Sequence, residues 1–95
     1  IMRRFFAKLE YTQDGRGGSI YYKEGQINIS FGWEFGGGNT VVIIFIPEPK
    51  YWEAQTGTPL SRRDEILQFL CDQVIRDQAP GCKPKIYDNS ISIVR

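Results

Sequence analysis

Ile27-Asn28-Ile29-Ser30-Phe31-Gly32-Trp33-Glu34-Phe35 is the stretch whose reading decides the fold. Apolar residues stand at every second position, with small or polar residues between them. That period is the pleat of a β-strand, whose successive side chains point to opposite faces, so one face of this strand seeks a core and the other seeks water. One-sided strands of this kind belong to antiparallel sheets. Working outward toward the N-terminus, Phe5, Ala7, Leu9 and Tyr11 alternate with Arg4, Phe6, Lys8 and Glu10, which predicts a first strand over residues 3–11. Residues 12–18 read as a loop, because Asp14-Gly15 and Gly17-Gly18 suit turns. Residues 19–23 read as a second strand, and Glu24-Gly25 as a tight hairpin into the third.

Toward the C-terminus, Gly36-Gly37-Gly38-Asn39 ends the deciding strand. Residues 41–46 form a continuous β-branched apolar run, the pattern of a strand covered on both faces, which Pro47 and Pro49 terminate because proline has no amide hydrogen for the ladder. Residues 47–60 are then long for a connection, and they carry Tyr51 and Trp52. Ser61 is placed as the N-cap of a helix, with Asp64 three residues on, and Ile66, Leu67, Phe69, Leu70, Val74 and Ile75 make its apolar stripe. Pro80-Gly81 closes that helix. Residues 85–94 return to strand character, with Asp88-Asn89 either a hairpin turn between two short strands or a bulge in one. The expected fold is α+β: an antiparallel β-meander of five to six strands with one helix packed on one face, in the order β-β-β-β-α-β(-β). With 95 residues, 1–95 form a single domain around one core.

Twelve Lys and Arg against eleven Asp and Glu leave a formal charge of +1, so no global field draws in nucleic acid or anionic lipid. No apolar run approaches the length of a membrane span. Lys8 and Glu10 interrupt the N-terminal segment before the apolar stretch of a signal peptide can form. Cys71 and Cys82 are too few for a zinc motif, histidine is absent, and Cys71 reads as a core thiol, with a Cys71–Cys82 bridge the alternative. A reducing cytoplasm is the expected compartment.

Without histidine, the Ser-His-Asp and Cys-His arrangements are closed to this chain, because their nucleophiles need an imidazole base. Glu48 and Glu53 could in principle pair for sugar cleavage, but acidic residues in a solvated loop account for them more simply. Gly15-Arg16-Gly17-Gly18 and Gly36-Gly37-Gly38 read as turns, since neither opens a helix whose amides could meet a phosphate. The expectation is therefore a protein that is not an enzyme and holds no metal or other cofactor.

Two surfaces remain as candidates. Tyr51 and Trp52, flanked by Glu48, Lys50 and Glu53, offer rings of the kind that anchor protein interfaces. Arg4, Phe6, Lys8, Tyr21 and Lys23 share the predicted outer face of the sheet and interleave cations with rings, as a single-strand nucleic-acid platform does; Glu10 and Glu34 lie on that same face. If Thr40, Val42, Ile44 and Ile46 face the helix, then Val41, Ile43 and Phe45 face away. Their cover is either the chain's own Tyr51 and Trp52 segment, a partner protein, or a second copy of the chain.

The stretch 22–74 resembles small immunity proteins of bacterial polymorphic-toxin and contact-dependent inhibition systems. The resemblance lies in the hairpin Tyr22-Lys23-Glu24-Gly25, the strand ending in Ile46-Pro47, the segment Lys50-Tyr51-Trp52-Glu53, and Gly57-Thr58-Pro59-Leu60-Ser61 opening an amphipathic helix. It implies a non-enzymatic cytoplasmic protein that binds and neutralises a cognate toxin domain and uses no cofactor.

Overall fold

The computed structural model describes residues 6–95. Six strands, β1 (Lys8–Asp14), β2 (Gly17–Glu24), β3 (Ile27–Phe35), β4 (Thr40–Phe45), β5 (Lys83–Ile86) and β6 (Ser90–Val94), form one antiparallel sheet in the order β1-β2-β3-β4-β6-β5. The first four make a meander, and β6 takes the place beside β4 and leaves β5 at the edge. Helices α1 (Pro49–Thr56) and α2 (Arg63–Gln78) contribute buried residues to the core on one face. The chain is thus α+β, with the strands placed around the long helix α2 as expected from the sequence and with α1 as a second helix where one was expected.

β3 shows why the sheet is two-faced. Ile29 and Phe31 are buried, and their cross-strand neighbours Tyr22 and Ile20 are buried with them, whereas Asn28, Ser30 and Gly32 are exposed. α2 supplies the other half of the core through Ile66, Leu67, Leu70, Cys71 and Val74, the i, i+4 and i+3 spacing of a single helical face. Ile44, Ile91 and Ile93 complete it from β4 and β6. The Cys71 thiol is a core group, and both cysteines are free.

Four expectations are corrected. The first turn reverses at Gly15 (φ 67°), so β1 and β2 extend through most of the segment read as a loop at 12–18. The connection at 47–60 is no loop: it holds α1 and a 3-10 turn at Leu60–Arg62. Ser61 is not an N-cap; it sits inside that turn, and α2 begins at Arg63 without a side-chain cap, its first turn carrying Asp64 and Glu65 where the helix dipole favours acids. Finally, β4 is covered on one face only among the described residues: Phe45 is exposed, and its ring comes within 3.7 Å of the position a Cβ would take on Gly32 across the strand.

Gly18 is required by close packing rather than by a turn. A Cβ there would stand 2.0 Å from the Thr12 carbonyl oxygen, which backbone cannot escape. The same bare spot lies between Gln13 and Trp33 in the cross-strand row, and the Trp33 indole reaches over it to donate Nε1–H to the Thr12 oxygen at 3.0 Å. Gly18→Ala is expected to cost about 3 kcal/mol through forced backbone displacement, measured as a lowered urea midpoint, while Gly37→Ala, where a Cβ meets nothing, changes it little.

Alkaline pH should also weaken the fold. Burial pushes the Cys71 thiol up to about 11, with Asp72 adding to the effect. Burial also raises the Tyr11 and Tyr22 phenols, helped by hydrogen bonds to Asp77 and Glu24 respectively. A group kept neutral in this way stabilises the fold fully below its ordinary pKa and ceases to do so as pH rises through its folded value. For Cys71 that window runs from 9.0 to about 11. The urea midpoint should therefore hold through neutral pH and fall across this window, less steeply in Cys71→Ala.

Candidate functional site

Two arginines at the entry of α2 organise the lower half of the molecule. Arg62 donates to both carboxylate oxygens of Glu24, at 3.1 and 3.0 Å, and to both of Glu65, at 3.1 and 3.0 Å. Glu24 also accepts the Tyr22 hydroxyl proton, so the β2–β3 hairpin is fastened to the start of the helix. The hydrogen bonds to Glu65, then those to Glu24, hold the Arg62 guanidinium above its ordinary pKa, so it stays charged.

Arg63 is the more consequential of the two. Its side chain is buried, and one Nη2 donates to the Pro47 carbonyl at 3.0 Å and to the Asp88 carbonyl at 2.9 Å. The Ile46 amide donates to the Asn89 carbonyl at 3.1 Å beside it. The corner between β4 and α1 and the turn between β5 and β6 are thereby held at one end of the sheet. Three large rings on these segments are exposed, Phe45, Tyr51 and Tyr87, at 45%, 48% and 53% of their surface, Phe45 on the sheet face away from the helices and Tyr51 on α1. Lys50 adds a cation, its Nζ 5.1 Å from the centre of the Tyr51 ring.

This end differs in composition from the protein-contact site expected at Glu48, Lys50, Tyr51, Trp52 and Glu53. Trp52 is corrected: it is wholly buried, stacked on Phe31 with ring centres 6.5 Å apart and with the Arg63 guanidinium 5.8 Å over it. The reason is helical geometry, since Tyr51 and Trp52 lie about 100° apart around α1 and only one of them can face the sheet. Trp52 therefore covers the helix side of the sheet, and neither it nor Tyr51 covers Phe45. Glu53 is occupied locally, its Oε2 accepting the Leu60 amide at 2.8 Å. Glu48 is the residue before α1 and makes no side-chain cap, and Lys50 is exposed. Tyr87 was missed by sequence reasoning; its place just before the Asp88-Asn89 turn was the available signal. Val41 is also corrected, because a bulge between Thr40 and Val42 turns it toward the helix side, leaving Ile43 and Phe45 outward.

The second candidate surface forms in part. Glu10 and Tyr21 are paired across the strands, as are Lys8 and Lys23, so Lys8, Tyr21 and Lys23 share the outer face as expected. Glu10 stands among them and pairs with both lysines, at 2.9 Å to Lys23 and 3.5 Å to Lys8. The hydrogen bond and charge of Lys23, then those of Lys8, lower the Glu10 pKa, so the carboxylate keeps its charge. Phe6 is fully exposed ahead of β1, and Arg4 lies outside the described residues.

Among the described residues, no group of three or more His, Cys, Asp or Glu side chains could hold a metal ion, and no helix is long and apolar enough to cross a membrane. Comparisons with protein-family models, with curated proteins and with solved structures found no match to this chain.

Arg63 should report on the integrity of the aromatic end. Arg63→Met removes the donor shared by two carbonyls and is expected to cost about 2–3 kcal/mol in urea unfolding, with Arg63→Lys in between because an ammonium can still reach one of them.

Proposed function

We propose that the chain is a non-enzymatic binding protein of the immunity type, which neutralises a toxin domain in the cytoplasm by docking through Phe45, Tyr51 and Tyr87, with Lys50 and Glu48 at the rim. The observation that carries this reading is the exposure of three large rings at the end fastened by Arg63. Rings of this type supply much of the binding energy in protein interfaces, and a backbone already held in place loses little conformational freedom when it binds. Nothing in this role calls for a cofactor, and two free thiols suit a reducing compartment.

The nucleic-acid reading through Phe6, Lys8, Tyr21 and Lys23 is the weaker one. Glu10 neutralises the pair of lysines on which the phosphate attraction would depend.

The test is co-expression with the product of the open reading frame beside the gene, which this reading expects to be a toxin. A one-to-one complex and rescue of growth are expected. The triple variant Phe45→Ala, Tyr51→Ala, Tyr87→Ala should weaken binding by roughly two orders of magnitude or more with little change in melting temperature, whereas Tyr21→Ala should leave binding intact. Full binding by the triple variant would overturn the assignment of the surface. Steeply salt-dependent capture of single-stranded RNA, lost in Lys8→Ala with Lys23→Ala, would overturn the function itself.

A further inference from the structure

At the opposite end of β4, the helix layer stops short of the sheet. α2 ends at Gln78, Ala79 and the Pro80-Gly81 turn lead the chain away, and the last helical turn is pinned to β1 by the Tyr11 hydroxyl, which donates to Asp77 at 2.7 Å. β3 runs on past this point. The result is a cavity of about 300 Å³ between the helix end and the sheet.

Three local features shape it. Absence of a side chain at Gly18 lets the Trp33 indole cross β2 and form part of the wall, its N–H satisfied by the Thr12 carbonyl. The bulge in β4 turns Val41 toward the space beside its neighbour Val42. Phe35 stands edge-on to Trp33 with ring centres 5.0 Å apart, and it remains 41% exposed although it lies on the core-facing side of the strand. Ile20, Val74 and Ala79 complete the apolar wall, and Gln78 and Gln13 supply amides, the Gln13 nitrogen already donating to the Gly15 carbonyl at 3.0 Å so that its oxygen is the group left to a ligand.

The chemistry of this lining selects its occupant. None of the residues lining the cavity is acidic or basic: Arg16, its guanidinium 5.8 Å from the centre of the Phe35 ring, lies outside the lining, and the Tyr11 phenol is held neutral by burial and by Asp77. A charged group entering here would shed hydration without finding a counter-ion in the lining itself. A flat ring entering the same space would meet Trp33 and Phe35 and could hydrogen-bond to the Gln78 amide and to the Gln13 side-chain oxygen, the combination of apolar wall and few polar groups that marks small-molecule sites. We propose that this cavity binds an uncharged aromatic small molecule carrying one amide-like or hydroxyl group.

The site is independent of the aromatic end, so it can be tested alone. Indole-3-acetamide and indole-3-acetate serve as probes, alike in shape and different in charge, titrated into the full chain at neutral pH and followed by two-dimensional amide NMR. The amide is expected to bind saturably with a Kd on the order of 1 mM or tighter, shifting resonances of Gln13, Trp33, Phe35, Val42 and Gln78, with the carboxylate at least tenfold weaker. Val41→Trp, which fills the cavity from its mouth, should abolish the shifts with the fold retained by circular dichroism, and Phe45→Ala should leave them unchanged. Equal binding of both probes, shifts scattered over the surface, or no saturation in the wild type would overturn the proposal. So would light scattering showing a dimer in which these same resonances move on dilution, since a second copy would then be the occupant.

Discussion

Trp52 is the contact on which the arrangement of the lower half depends. Its indole is stacked on Phe31 of the sheet and has the guanidinium of Arg63 over its ring, so it contacts both a ring and a cation. An indole left in water at this point would expose one of the largest apolar surfaces in the chain, and burying it draws residues 49–56 down as a helix. Once α1 is seated, its C-terminus is set by Gly57 in the left-handed region (φ 66°), and Thr58 is buried beneath it with its hydroxyl donating to the Thr56 carbonyl. The 3-10 turn then delivers Arg62 and Arg63 to their carboxylate and carbonyl partners. One buried ring thus fixes the entry of the long helix and, through Arg63, the corner from which the exposed rings emerge.

The distribution of apolar surface follows from a sheet that is covered once. Both helices contribute to a single core, leaving the other face to Lys8, Glu10, Ser30, Asn28, Gly32 and their neighbours, mostly small or paired residues. That face is mostly polar, with Tyr21, Ile43, Phe45 and Val94 its larger side chains of apolar character. Contact-forming character has instead collected at the two ends of β4, rings at one end and an uncharged cavity at the other. The two differ in kind: the first projects and suits a protein surface, whereas the second recedes and suits a ligand that can be enclosed.

Much of the sheet was legible because alternation is a local property. Residues 27–35 announce their faces without help from the rest of the chain, and the stripe Ile66, Leu67, Leu70, Val74 does the same for α2. α1 was illegible because eight residues bounded by Pro49 and Gly57 carry too little periodicity, and their helicity comes from burying Trp52 rather than from propensity. Parity predicted the outward side of Phe45 correctly and failed for Val41, since a single inserted residue in β4 is visible only once β6 is laid beside it. The candidate site was legible to the extent of Tyr51. The meeting of the segments that carry Phe45, Tyr51 and Tyr87 depends on Arg63 bonding to carbonyls 16 and 25 residues away, a link between distant segments that no local pattern encodes.

The position of β6 carries a consequence for how the molecule is made. Ile91 and Ile93 are wholly buried and lie between β4 and β5 in the sheet, yet β6 follows the other five described strands in sequence. During synthesis the four-stranded meander and both helices leave the ribosome while the inner edge of β4 still has no neighbour, and its greasy backbone rim stays available to any extended polypeptide nearby. Closure waits for the segment 90–94 to clear the exit tunnel, so this edge of the sheet can pair wrongly for as long as β6 has not arrived.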